Sequence, residues 1–188
     1  KLKKSSNIVA VFLGDGSTEE GVFFESLDFA SLKNVPILFV CENNYYSVYS
    51  QLNVRQAPNR NISILAESHG IKTFTGDGNN IQQVSEVTEK AVNYIRDNNS
   101  PAFLELETFR WLEHCGPNGD DELGYRKKGE LDQWVKRDPI ASYKSTIIED
   151  HQLSEIEIIE ATEAISAEID DLRVNSLNFI GLGGINVL

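Results

Sequence analysis

One junction constrains this chain more than any other. The run Ile8 to Leu13 (IVAVFL) is short, apolar and β-branched. It reads as a buried strand of a parallel sheet. It stops at Gly14-Asp15-Gly16. Ser17 followed by Glu20 fits a capping box, so a helix is predicted to begin there. Phe23, Leu27 and Ala30 give that helix an apolar stripe, and Asn34 and Pro36 stop it. Pro36 to Val40 (PILFV) leads into a second strand, which ends at Asn43-Asn44.

The alternation continues. A polar stretch from Tyr45 to about Asn61 has no clear period, and a short helix is expected around Ile62 to Ser68. Ile71 to Phe74 forms a third strand closed by Gly76, Asp77 and Gly78. Ile81, Val84, Val87, Ala91 and Ile95 keep helical spacing. Ala102 to Phe109 is a fourth strand. The Gly-rich polar stretch Trp111 to Gly129 reads as a functional loop. Helices follow near Leu131 to Lys136 and Pro139 to Glu149. Ser154 and Glu157 open a last helix that runs to about Leu172. Strands alternating with helices predict an α/β fold, a parallel doubly wound sheet with helices on both faces and helices at the C-terminus. A chain of 188 residues suggests one domain spanning 1–188.

Composition removes several function classes. The net charge of −12 repels phosphate backbones, so no nucleic-acid partner is expected. Much of the excess acid lies between Glu149 and Arg173 and reads as a solvated helix face. There is no apolar run of about 18 residues, hence no membrane-spanning helix. Two cysteines, Cys41 and Cys115, make no disulfide framework and suit a reducing cytoplasm. His69, His114 and His151 are too scattered for a zinc site. The chain has no methionine, so residues have been removed from its front or it is part of a longer protein.

In doubly wound sheets, ligands bind outside the carboxyl ends of the strands. Both Gly14-Asp15-Gly16 and Asn43-Asn44 fall there. The glycines let backbone amides approach an anion, and a helix N-terminus adds free amides and partial positive charge. Asp15 is a hard oxygen ligand. Asn44, 29 residues later, lies at the next strand end. A carboxylate, an amide oxygen and nearby carbonyls make a magnesium site that shares oxygens with a diphosphate. Glu19 and Glu20 run against this, because in the first helical turn they repel an anion they face. A second Gly-Asp-Gly at Gly76 to Gly78 has no intervening strand and helix before Asn79-Asn80, and reads as a turn with a helix cap.

The stretch GDGSTEEGVFFESLDFASLKNVPILFVCENN resembles the thiamine-diphosphate motif of 2-oxo acid dehydrogenase E1 alpha subunits. These belong to the pyruvate, branched-chain 2-oxo acid and acetoin dehydrogenase complexes. The resemblance continues through GDGNNIQQVSEVTEKAV, Thr108-Phe109-Arg110, Tyr125-Arg126, Asp138-Pro139 and the last helix. It implies that Asp15 and Asn44 ligate Mg2+ through side-chain oxygens and Tyr46 through its carbonyl. Gly14, Gly16 and Ser17 would lie against the diphosphate of thiamine diphosphate. Arg110 would hold the diphosphate, and His114 would be a catalytic residue between cofactor and substrate.

The implied activity is decarboxylation of a 2-oxo acid and transfer of the acyl group to a lipoyl group. The implied partners are a beta-type subunit carrying the pyrimidine-binding half, in a heterotetramer, and a lipoyl-bearing E2 component. This chain alone is then expected to be inactive. A transketolase-like or decarboxylase half using the same cofactor, and a truncated non-catalytic α/β module, are the alternatives.

Departures from the family pattern also carry expectations. Family alpha subunits have roughly as much chain again before Gly-Asp-Gly, so the domain is expected to be incomplete at its N-terminus. Leu112-Glu113-His114-Cys115 stands where the family commonly has His-Gly-His-Ser. Cys115 replaces the serine through which mammalian relatives are controlled by phosphorylation, so that control is not expected. His114 and Cys115 are chain neighbours without an orienting group and are not read as a nucleophile pair. The segment CGPNGDDELGYR suggests a substrate other than pyruvate. The tail 174–188 matches nothing in the pattern, and its Gly181, Gly183 and Gly184 do not form a nucleotide loop.

Overall fold

The structure, a computed structural model, describes residues 7–182, with side chains described to residue 176. The chain divides into two compact units, with the boundary after Pro139.

In the first unit, four strands form one parallel sheet. They are β1 (Val9–Gly14), β2 (Ile37–Asn43), β5 (Lys72–Asp77) and β6 (Ala102–Glu107), in the spatial order β1-β2-β6-β5. The helices α1 (Gly21–Lys33), α3 (Ile62–Ser68) and α4 (Ile81–Asn98) connect them. Period-2 alternation along the strands splits the core in two. Phe39, Cys41 and Phe103 face one side and pack with Phe23, Leu27 and Ala30 of α1 and Ile62 and Ala66 of α3. Leu38, Val40, Leu104 and Leu106 face the other and pack with Val87, Ala91 and Ile95 of α4. Each fully buried Val, Leu, Ile or Phe side chain in these layers contributes about 1.5–3 kcal/mol. This is the doubly wound α/β arrangement the sequence predicts.

Helix ends follow local chemistry. Asn34 (φ 48°) and Asn99 (φ 49°) close α1 and α4 in the left-handed region, which asparagine tolerates. Asn61 and Asn80 cap α3 and α4 by accepting from Ile64 N at 2.8 Å and Gln83 N at 3.0 Å. The second Gly-Asp-Gly thus leads into a helix cap, as expected.

Three expectations are corrected. No helix starts at Ser17, because a 3-10 turn occupies Asp15–Glu19 and α1 begins only at Gly21. Glu20 is extended (φ −81°, ψ 143°), so the Ser17/Glu20 capping box does not form. Instead the Thr18 hydroxyl donates to the Asp15 carbonyl at 2.6 Å. Second, β1 is not buried. Among the described residues its only sheet neighbour is β2, and Phe12 is 68 % exposed. Third, β6 stops at Glu107 rather than at Phe109. The stretch after Asn44, for which the sequence gives no clear period, holds β3 (Tyr46–Ser47) and β4 (Ser50–Gln51), a small antiparallel hairpin, followed by the single turn α2 (Leu52–Arg55). Beyond β6 lie a 3-10 turn at Asp121–Leu123 and helix α5 (Glu130–Val135).

The second unit contains α6 (Pro139–Glu149) and α7 (Glu155–Leu182). The expected capping box at its start is present: Ser154 N and Oγ each lie 2.8 Å from Glu157 Oε2. That bonding holds the Glu157 carboxyl below its usual range. The acidic residues of α7 up to Asp171 are exposed, as a solvated face requires. Helix α7 continues past Leu172 to Leu182, and Gly183 and Gly184 lie outside the described residues. Among the described residues no helix is long and apolar enough to cross a membrane.

Candidate functional site

The site forms where β1 and β2 end side by side. Their register pairs Gly14 with Glu42, so Asp15 follows the last residue of β1, next to Asn43, the last residue of β2, which pairs onward with Glu107 of β6. Gly14 and Ser17 are exposed, whereas Asp15 is only 1 % exposed. The first amides of a 3-10 turn have no partner inside it, so the free amides that the sequence reading gave to α1 fall in the Asp15–Glu19 turn.

The hairpin β3–β4 closes against this turn. A Cβ on Gly16 would lie 2.7 Å from Ser47 Oγ and 3.0 Å from Ser47 Cβ. Hence the hairpin can approach only a glycine at this point. By the family resemblance above, replacing Gly16 with alanine is expected to push Ser47 away and weaken diphosphate binding about tenfold, which is about 1.4 kcal/mol, with little loss of fold. Isothermal titration with thiamine diphosphate and Mg2+ checks this.

Two residues of the hairpin region have unusual backbones. Tyr45 has φ 65° and Val48 has φ 53°. For a β-branched valine this is a true outlier, costing on the order of 1–3 kcal/mol, and such strain persists only where surroundings enforce it. The surroundings are visible. Leu52 N donates to Tyr45 O at 2.7 Å, and Tyr46 N donates to Asn44 Oδ1 at 3.0 Å. Arg110 Nη2 donates to Val48 O at 3.0 Å.

Arg110 therefore reaches the hairpin from the far side of the sheet's end. Its Nε donates to Leu112 O at 2.8 Å and its Nη2 to the Tyr125 hydroxyl at 2.9 Å. His114 lies beside it, with Nδ1 at 3.5 Å from Arg110 Nη1, and is itself exposed. Behind them is a buried network. Arg126 Nη1 pairs with Asp120 Oδ1 at 2.8 Å, and Nη2 donates to Arg110 O at 2.7 Å. The Tyr125 hydroxyl donates to Asp120 Oδ2. The Arg126 guanidinium also stacks over Phe109 (4.8 Å), Tyr125 (5.2 Å) and Tyr46 (5.9 Å). The Tyr46 hydroxyl donates to Glu130 Oε2 at 2.7 Å, and burial, with that bond, raises its pKa so that it stays a donor.

Asp15 and Asn44 come to neighbouring strand ends, but each has its own partner. Asn44 Oδ1 accepts from Tyr46 N, leaving a lone pair. The Asp15 carboxylate accepts from Arg55, whose other arm holds Glu19. Gln56 Nε2 donates to the same Glu19 oxygen at 2.7 Å. This resolves the objection from Glu19, because its charge is matched by an arginine. Arg60 braces the turn through Thr18 Oγ1 at 3.2 Å and the Thr18 carbonyl. Arg55, Arg60, Ser47 and Asp120 were not singled out from the sequence. Two arginines in a polar stretch of so acidic a chain were the available signal.

The donor set fits a hard divalent cation: one buried carboxylate, one amide oxygen and backbone carbonyls. Among the described residues no three His, Cys, Asp or Glu side chains gather to hold a metal. A cation held here must therefore complete its shell with oxygens from a ligand or water.

Residues 1–176 match the sequence profile of the dehydrogenase E1 component. The pyruvate dehydrogenase E1 component subunit alpha of Rickettsia felis is 31% identical over 165 residues, covering 88% of this chain and 49% of that protein. The corresponding subunit of Porphyra purpurea is 32% identical over 163 residues, with 87% and 46% covered. The chloroplastic subunit alpha-3 of Oryza sativa subsp. japonica is 31% identical over 182 residues, with 95% and 41% covered. The chain spans about half the length of these curated relatives. With the profile running through both the Gly-Asp-Gly turn and the Arg110–Arg126 network, the chain belongs to the dehydrogenase E1 component family.

Proposed function

We propose that this chain is the diphosphate- and magnesium-binding part of a thiamine-diphosphate-dependent E1 enzyme that decarboxylates a 2-oxo acid and passes the acyl group to a lipoyl group. One observation carries the reading. The buried Asp15 carboxylate lies in a turn of exposed Gly14 and Ser17, against a hairpin that only Gly16 admits. In this reading Asp15 and Asn44 give side-chain oxygens to Mg2+, and Tyr46 gives its carbonyl. Gly14, Gly16 and Ser17 cradle the diphosphate.

Arg110 would add positive charge toward the diphosphate, and its bond to Val48 O holds the hairpin. His114, exposed beside Arg110, is the catalytic side chain that meets substrate. Thiamine diphosphate supplies the carbanion chemistry when bound. The chain's own residues anchor it, neutralise its phosphates and orient it. The names of the pyruvate dehydrogenase relatives support the substrate class, a 2-oxo acid. The family resemblance also implies a beta-type partner subunit and a lipoyl-bearing E2 component.

Titrating the intact protein with thiamine diphosphate in the presence of Mg2+ tests the assignment. Saturable binding at one cofactor per chain, lost when EDTA removes the metal, is expected. No heat with metal present, with or without the beta-type subunit, would overturn it.

A further inference from the structure

Arg55 makes three simultaneous contacts that its neighbours in sequence do not require. Its Nη2 pairs with Asp15 Oδ2, its Nη1 with Glu19 Oε1, and its Nε donates to Ser50 O at 3.1 Å. It is the last residue of the single turn α2, and its side chain is only 12% exposed. A buried carboxylate such as Asp15 is costly without a compensating positive charge. The fold supplies that charge from its own chain.

We infer that Arg55 is an internal cation that competes with the divalent metal for the Asp15 carboxylate, and that Glu19 is the carboxylate that keeps Arg55 when the metal takes Asp15. This rests on the metal-site reading above and adds a residue with a role in loading it. A divalent cation and a guanidinium on one buried carboxylate repel each other, so metal binding at Asp15 is expected to loosen its pairing with Arg55. The handover is short, because Arg55 already holds Glu19 with its other arm and Ser50 O with Nε. Gln56, donating to the same Glu19 oxygen, keeps that carboxylate in place to receive the charge. The movement needed is a turn of one side chain within the hairpin and α2, not a shift of the sheet.

The cost of such a device is lower apparent metal affinity, by the fraction of time that Asp15 is free. A pair formed about nine-tenths of the time weakens binding about tenfold. Mn2+, an oxygen-preferring ion that electron paramagnetic resonance detects directly, is the probe. In the intact protein, Arg55→Gln is expected to bind Mn2+ about tenfold more tightly than wild type, both alone and with thiamine diphosphate. Arg55→Lys, which keeps the charge, is expected to stay near wild type. Glu19→Gln is expected to weaken Mn2+ binding, since the displaced guanidinium then has no carboxylate to return to.

A second measurement uses the wild type alone, with arginine labelled in 15N and diamagnetic Mg2+. The Arg55 Nε–H resonance, assigned by its absence in Arg55→Gln or Arg55→Lys, should move in step with metal saturation. Weaker or unchanged Mn2+ binding in folded Arg55→Gln, or an Nε–H signal indifferent to Mg2+, overturns the inference and leaves the cofactor assignment standing. Failure of wild type and Arg55→Gln alike to bind Mn2+ in the presence of thiamine diphosphate overturns both.

Discussion

Replacing Asp15 with alanine is expected to weaken thiamine diphosphate and Mg2+ binding by at least about 100-fold. Removing a partner that only orients a metal ligand already costs 10- to 100-fold, and Asp15 is placed as a direct ligand. The substitution removes the one carboxylate of the donor set, so neither the amide of Asn44 nor a backbone carbonyl can replace the lost charge. Its effect on folding should be small by comparison. Arg55 loses Asp15 but keeps Glu19 and Ser50 O, so no guanidinium is stranded. Asp15→Asn separates shape from charge: it preserves the side-chain outline and should bind nearly as poorly as alanine. Isothermal titration reports the binding, and circular dichroism on the same samples reports the fold. Cofactor affinity within a few-fold of wild type in either variant would remove Asp15 from the metal's shell.

The largest expected effect on stability comes from Phe103. It is fully buried in β6. Its ring meets Phe23 of α1 edge to face at 6.0 Å, within the cluster that also holds Leu27, Phe39 and Ile71. Phe103→Ala should cost about 3–5 kcal/mol, the usual range for emptying a phenylalanine site that cannot collapse. Collapse is hindered here because strands lie on both sides of β6, with Phe39 and Thr73 paired to Phe103 in register. Urea unfolding followed by fluorescence measures the change. A loss below about 1 kcal/mol would mean that the layer between sheet and α1 repacks freely.

The parts of the fold readable from sequence are those set by periodicity and punctuation. The stripe Phe23-Leu27-Ala30, the spacing Val87-Ala91-Ile95 and the asparagine caps each carry their structure locally. So does the Ser154/Glu157 box. The same signal at Ser17/Glu20 misleads, because the turn that presents Asp15 winds as a 3-10 segment and leaves Glu20 extended. Local propensity lost there to the approach of the hairpin.

Composition alone makes strand β1 look buried. Composition cannot tell an edge from a centre, since that depends on what pairs beside it. For the site, Gly14, Asp15, Gly16 and Asn44 are legible because strand ends gather ligands in this architecture. Arg55 and Arg60 were hidden in a stretch with no period. The contacts that matter there join residues 36 to 42 positions apart, a separation no local pattern encodes.

The hairpin is gripped at Val48 by Arg110, 62 positions further along the chain, and rests on Gly16 from the other direction. Binding and global folding are therefore one thermodynamic cycle. An excised peptide spanning Gly14 to Asn44 would carry the recognisable signature yet lack the grip that shapes it. Whatever occupies the intact arrangement at a hundred times its dissociation constant adds about 2.7 kcal/mol to the stability of the whole sheet.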